Sequence, residues 1–152
     1  MPQALSRYFG LLEYTQEQSF QFPDGLPAFP GETQFLPIEV PDHLPLVYLQ
    51  SLSTPDLCFV ALPATCIVQD YHVAVQPDDL ASIGLTPDAL GGPTALFLAL
   101  LCFEAGGETV ANLRAPIVVN VKSRSAIQMI QNEDIYPIRF PIQQAEEVRS
   151  CS

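Results

Sequence analysis

Thr109-Val110-Ala111-Asn112-Leu113-Arg114-Ala115-Pro116-Ile117-Val118-Val119-Asn120-Val121-Lys122 is the stretch on which the fold turns. Ile117 to Val121 is β-branched except at Asn120, the composition of a strand buried on at least one face. The first half reads differently. Ala111 to Arg114 reads as a short polar–apolar turn. Ala115-Pro116 reads as a breaker, because the residue before a proline is pushed into extended geometry. Asn112 and Asn120 stand where strand propensity does not place an amide. Each has two readings, as does Arg114: a side chain offered to a partner, or an internal bond that caps a turn or satisfies a neighbouring backbone group.

The segments on either side fit a strand-rich chain. Upstream, Ala95 to Glu104 reads as a long central strand and Ala105 to Glu108 as a hairpin turn. Downstream, Ser123 to Ser125 turns into Ala126–Ile130, and Tyr136 to Ile142 reads as an extended segment laid over the fold. Further back, Pro77-Asp78-Asp79-Leu80-Ala81-Ser82-Ile83-Gly84 carries proline and acids at its start and glycine at its end, the pattern of a short capped helix. Thr86 to Leu90 repeats that pattern over one turn. Asp70 to Val75 reads as a brief strand, and Pro63 to Gln69 as a single helical turn or an irregular crossover.

Nearer the N-terminus, Leu46–Leu52 and Leu57–Leu62 form a predicted hairpin around Ser53-Thr54-Pro55-Asp56. Gln50 sits within it and has the same two readings as the asparagines. Phe35 to Val40 contains Pro37, which cannot donate to a ladder and so predicts an edge or a bulge. Pro23-Asp24-Gly25 is turn chemistry, with Phe22 and Phe29 expected to pin that loop to the core. Tyr8 to Tyr14 reads as the first strand. Fifteen prolines in 152 residues break any long helix. The expected architecture is an all-β, single-domain antiparallel β-barrel-like fold over residues 1–142, with one or two short helices plugging an end. Residues 143–152 are polar and expected to fray as a disordered tail.

Charge narrows the function. The net charge is −11. Residues 1–113 carry 13 acidic groups against Arg7 alone, the wrong sign for gripping a phosphate backbone. Such a surface favours encounter with a basic partner, and it also reads simply as a solvated acidic surface. Cys58, Cys66, Cys102 and Cys151 have no metal-like spacing, and the first three lie in apolar runs, so buried free thiols are expected. No apolar core of a signal peptide opens the chain, and the longest apolar run, Ala95 to Phe103, is too short for a membrane helix. A cytoplasmic protein is expected.

Catalytic chemistry finds little support. His43 lies in a proline-flanked loop and His72 follows Asp70-Tyr71. No His or Cys pair has zinc spacing. Neither phosphate-cradling glycine motif is present, and no G-x-S-x-G elbow supports an acyl-transfer serine. Asp78-Asp79 is explained by helix-start electrostatics. A cryptic site of Asp70, His72 and Asp79 requires those groups to meet within hydrogen-bond reach. A small-molecule or carbohydrate-binding barrel requires an aromatic-lined pocket, and the chain has no tryptophan. No cofactor is expected.

Five blocks carry a family resemblance. Thr109 to Asn120 resembles the A-N-L-x-A-P-I-V-I-N signature of the flagellar assembly factor FliW family. Phe22 to Phe29 is similar to that family's F-x-x-G-[IL]-P-G-F loop, and Tyr48 to Val60 to its L-Q-S-L-x-x-P-x-L-x-F segment. Asp70-Tyr71 through Asp79-Leu80 to Gly84-Leu85 resembles its D-Y … L-G-I region. Tyr136 to Ile142 resembles its Y-x-x-R-H-P-L tail. Ala28 stands where the family has glycine, Phe140 where it has histidine, and Glu104 to Glu108 is shorter than the usual charged loop. The resemblance implies a small barrel without enzymatic activity. It also implies two partners: CsrA, whose repression of flagellin messenger RNA it relieves, and flagellin, which exchanges with CsrA. No direct nucleic-acid or membrane binding is implied. Asp70, Asp78, Asp79, Glu104 and Glu108 are the expected acidic contacts, with Asn112, Arg114 and Asn120 as further candidates.

Overall fold

The computed structural model describes residues 1–74, 76–131 and 135–142. In chain order the strands are β1 (Gln3–Ser6), β2 (Gly10–Glu13), β3 (Phe20–Gln21), β4 (Gln34–Ile38), β5 (Val47–Ser51), β6 (Cys58–Pro63), β7 (Ala95–Phe103), β8 (Thr109–Asn120), β9 (Ala126–Gln128) and β10 (Phe140–Ile142). One α-helix, α1 (Pro77–Ser82), lies between β6 and β7, and four short 3-10 turns complete the described elements. The fold is the expected antiparallel β-barrel-like one. Neighbouring strands run in the order β10-β8-β7-β6-β5-β4-β3, and β9 also pairs with β8.

The sheet curls until its ends meet. The bridge Gln21↔Ser125 links β3 to the start of β9. Arg124 holds this seam. Its backbone has φ 66°, a left-handed conformation unusual for a residue with a side chain. That geometry turns its carbonyl to the Gln21 N–H (2.8 Å). Its guanidinium lies over the Phe20 ring at 4.6 Å and donates to the Gln18 carbonyl at 2.9 Å.

Alternation sorts the strand residues into an inner and an outer set. Inside the barrel, Phe20, Phe22, Phe35, Leu49, Ala61, Leu98, Ile117, Val119 and Ala126 form one core. On the outer face of β7 and β8, Phe97, Ala99, Ala111, Leu113 and Val118 form another with Tyr71, Leu80 and Ile83. These two strands are therefore buried on both faces, which explains the uninterrupted Ile117-Val118-Val119. The helix was expected to plug a barrel end. It packs on this outer face instead, because Leu80 and Ile83 need the apolar wall that Phe97 and Val118 supply.

The first strand is also corrected. Tyr8 to Tyr14 does not form one strand; β1 and β2 pair as a separate ribbon, with Tyr8 and Phe9 in its turn. The ribbon's inner residues Ala4 and Leu12 pack with Tyr14 on Leu36, Ile38 and Leu52, outside β4. Asp70 to Ala74 is irregular rather than a strand. Pro37 lies in an interior strand, but β3 covers only Gln34 and Phe35, so one side of Pro37 has no strand to pair with. Phe22 is buried, whereas Phe29 is 40% exposed and reaches the core through an edge contact with Phe59 and a backbone bridge to the buried Leu26. Cys58 and Cys102 are free thiols, half-buried and exposed respectively, and Cys66 is not a free thiol. Val75, Cys151 and the polar tail 143–152 lie outside the described residues.

Candidate partner-binding surface

The opening stretch is one strand, not a turn, a breaker and a strand. Leu98 pairs with Ile117, and Leu100 with Asn112. Leu113 to Pro116 therefore bulge out opposite the single residue Ala99, a larger excess than an ordinary one-residue bulge. Such a bulge leaves the ladder, and each of its buried polar groups needs another partner.

Every one of them has one. The Asn112 Oδ1 accepts from the N–H groups of Arg114 and Ala115, both at 3.1 Å. The Leu113 N–H donates to the Pro137 carbonyl (3.2 Å), and the Tyr71 hydroxyl donates to the Leu113 carbonyl (2.6 Å). The Arg114 carbonyl accepts from the Gln131 N–H and the Pro116 carbonyl from the Met129 N–H, at 3.0 and 2.9 Å. The Ala115 carbonyl accepts from the Gln128 Nε2 at 3.0 Å. Pro116 has no N–H to satisfy. Burial pushes the Tyr71 phenol well above its ordinary range, so it remains a donor. The Arg114 Nε donates to the Tyr136 carbonyl (3.0 Å), tying residues 135–139 to the bulge.

Asn120 closes the far end of β8. Its Nδ2 donates to the buried Ile83 carbonyl at 2.9 Å, just past α1. Its Oδ1 accepts from the Lys122 and Ser123 N–H groups at 3.0 and 3.3 Å. Gly84 has φ 75°, and the Leu85 N–H returns to the Leu80 carbonyl (2.9 Å), the Schellman closure that turns the Ile83 carbonyl toward β8. Asn112, Arg114 and Asn120 are thus all used internally.

The five acids fall in separate places. Asp78 and Asp79 open α1, beside the Asn120 end of β8, and Asp78 is exposed while Asp79 is half-buried. Glu104 and Glu108 flank the β7–β8 turn, at the opposite end of that strand. Glu104 is ion-paired to Arg139, just before β10, and Glu108 is exposed. Asp70 is exposed beside Tyr71, between these ends, because Tyr71 reaches the mid-strand bulge. The structure thus spreads the acids along the β8 side of the barrel rather than into one cluster.

Two organising residues were not predicted to work together. Gln50 is fully buried under the ribbon. Its Oε1 accepts from the Ser6 hydroxyl at 2.7 Å, and its Nε2 faces the Pro55 and Leu57 carbonyls at 3.2 Å. Glu32 accepts hydroxyl bonds from Ser51, from Ser53 (3.1 Å) and from Thr54 (2.7 Å) on the same turn. The Ser51 hydroxyl foremost, with help from Thr54 and Ser53 and against a desolvation cost, holds its carboxyl below the usual range. The hydroxyl cluster Ser51-Leu52-Ser53-Thr54 was the only local signal for Glu32.

Catalytic geometry does not assemble at the histidines. His72 meets Asp70 through the backbone carbonyl (3.1 Å), not the carboxylate, and otherwise faces Tyr136. The His43 Nδ1 is 2.7 Å from the Tyr48 hydroxyl. Burial pushes the Cys58 thiol up to about 11, away from nucleophilic reactivity. Phe22, Leu26, Phe35, Leu49, Phe59, Leu100 and Ile117 pack around a narrow apolar gap that has no room for a water molecule. No helix of the described residues is long and apolar enough to cross a membrane.

The fold as a whole has a counterpart among known proteins. The family described as FliW protein matches residues 3–142. The chain belongs to the FliW family. It is 31% identical over 134 residues to the flagellar assembly factor FliW of Carboxydothermus hydrogenoformans, covering 88% of this chain and 84% of that one. It is 32% identical over 146 residues to the flagellar assembly factor FliW of Syntrophomonas wolfei, covering 94% and 92% of the two chains. A crystal structure of the flagellar assembly factor FliW superposes with a TM-score of 0.81 at 28% identity, covering 94% of this chain and 98% of the other. The FliW match thus spans the N-terminal ribbon, the bulge and β10 alike.

Proposed function

We propose that this FliW-family chain is a non-enzymatic, cytoplasmic flagellar assembly factor that binds the translational regulator CsrA and thereby relieves repression of flagellin messenger RNA. It binds flagellin in exchange, as a partner switch. Family membership across residues 3–142 carries this reading. Charge supports it: a protein with 13 acids against one base in residues 1–113, docked beside a basic RNA-binding face, repels RNA without occupying the RNA contacts.

In this reading the acidic contacts are drawn from Asp70, Asp78, Asp79, Glu104 and Glu108. Asn112, Arg114 and Asn120 serve them by fixing the strand, the helix end and the 135–139 segment that carry or flank those acids. A basic partner taking Glu104 competes with Arg139, so Asp70, Asp78 and Glu108 are the more available charges.

Isothermal titration with the CsrA and flagellin of the same organism tests the proposal. Saturable binding to both, weakening as salt rises, is expected. Absence of heat with either partner overturns it. An Asp→Lys and Glu→Lys scan of the five acids then separates the roles. One large loss marks a contact, and uniform small losses mark long-range steering.

A further inference from the structure

The outer face of the β1–β2 ribbon is apolar and open to solvent. Leu5 and Leu11 stand directly opposite each other in the ribbon register, so their side chains leave the same face. They are 60% and 62% exposed. Tyr8, in the turn that joins the strands, is 58% exposed, and its hydroxyl reaches the Asp56 carbonyl at 3.3 Å. The ribbon does not need this face for its own stability. Ala4 and Leu12 on the opposite face hold it to Leu36, Ile38 and Leu52.

Polar groups rim the leucine pair. Glu13 lies two residues along β2 on the same face, opposite Gln3, whose Nε2 donates to it at 3.3 Å. Glu17 and Asp56 are exposed at adjoining turns. Arg7 is the one basic residue of this region.

Charge selects the occupant. A second copy of this chain brings the same 13-to-one acidic excess and is repelled, and an anionic lipid surface is repelled likewise. A segment with aliphatic side chains along one face and lysine or arginine on its flanks satisfies both the leucines and the rim. An α-helix with its side chains is about 10 Å across, comparable to two strands about 4.8 Å apart with theirs.

We propose that Leu5, Tyr8 and Leu11 form a docking face for a basic-flanked amphipathic α-helix of a partner protein. The face lies on the outside of β4, three strands around the barrel from the β7–β8 surface that carries α1. A partner here and a partner at the acids can therefore be bound together.

The test uses the full chain and a synthetic leucine–lysine peptide patterned at helical period, with a leucine–glutamate peptide of the same pattern as control. Fluorescence anisotropy should show binding of the lysine peptide only. The double variant Leu5→Thr/Leu11→Thr, which keeps strand propensity, should bind about tenfold more weakly. Leu11→Lys, which sets a like charge against the peptide, should weaken binding in the same direction and guards against a folding defect in the double variant. Unchanged affinity in both variants overturns the proposal and assigns the binding to general acidity. Sedimentation of the protein alone as a dimer that the double variant abolishes also overturns it, in favour of a second copy.

Discussion

The Leu113–Pro116 bulge and the β1–β2 ribbon both depart from the regular barrel, and they are held in opposite ways. The bulge is sealed between the outer core and residues 128–131 and 135–137, and each of its backbone polar groups has a named internal partner. The ribbon shares no ladder with the barrel. It hangs on Ala4 and Leu12, the Phe9–Tyr48 ring contact, the Ser6–Gln50 bond, the Tyr8 hydroxyl to the Asp56 carbonyl and the Arg7 N–H to the Pro55 carbonyl (2.9 Å). The difference follows from water. A departure buried on both sides has to satisfy its polar groups internally, since an unmet group costs about 1–3 kcal/mol. A departure open to solvent carries no such demand, and its outer face is free to hold leucines for a partner.

The contrast can be broken first at Asn112. Asn112→Leu leaves two N–H groups in the bulge without their acceptor and should cost about 3 kcal/mol in urea unfolding. A cost under about 0.5 kcal/mol would mean that water enters the bulge and that it is not sealed. Asn120→Val strips the buried Ile83 carbonyl of its donor and should destabilise by about 1–3 kcal/mol. A neutral or stabilising outcome would instead mark this amide as free for a partner.

Gln50→Leu tests the ribbon's attachment. It should cost about 2 kcal/mol, and hydrogen exchange should show β1 and β2 losing protection before the barrel strands do. Glu32 probes the same attachment through pH. Its folded carboxyl sits below 4.5, so its contribution is present above that pH and is lost as pH falls through the lowered value. Glu32→Gln should therefore flatten part of the stability loss below pH 4.5, and an unchanged acid profile would remove Glu32 from the turn's support. The smallest effect is expected at the ribbon's outer face. Leu5→Thr/Leu11→Thr should shift stability by no more than about 0.5 kcal/mol per site, in contrast to its effect on peptide binding.

Much of the barrel was legible because its signals are local. Ala95–Phe103 and Ile117–Val119 announce buried strands by composition. Pro77-Asp78-Asp79 and Gly84 bound a helix by capping chemistry. Gly25, at φ 67°, sits in the predicted Pro-Asp-Gly turn and is pressed against the Pro30 carbonyl, where no side chain fits. The misreadings have a shared cause. Ala111 to Pro116 resembles a turn and a breaker, and only Gln128, Met129, Gln131, Tyr71 and Pro137 turn it into part of a strand. Gln3-Ala4-Leu5-Ser6 has little strand propensity, and it pairs because Leu36 and Ile38 wait beneath it. The acids look alike in the sequence, yet Glu104 is paired to Arg139 while Glu108 is exposed.

The sequence by itself determined the strand-rich character, the short helix that begins at Pro77 and stops at Gly84, the acidic surface and the family, because propensity, charge and motif are written in neighbouring residues. Tertiary structure alone decided what Asn120 and Gln50 do. An amide shows its polarity in the sequence, but its role is set by the partner it meets. Those partners lie up to 44 residues away along the chain, as Ser6 does from Gln50.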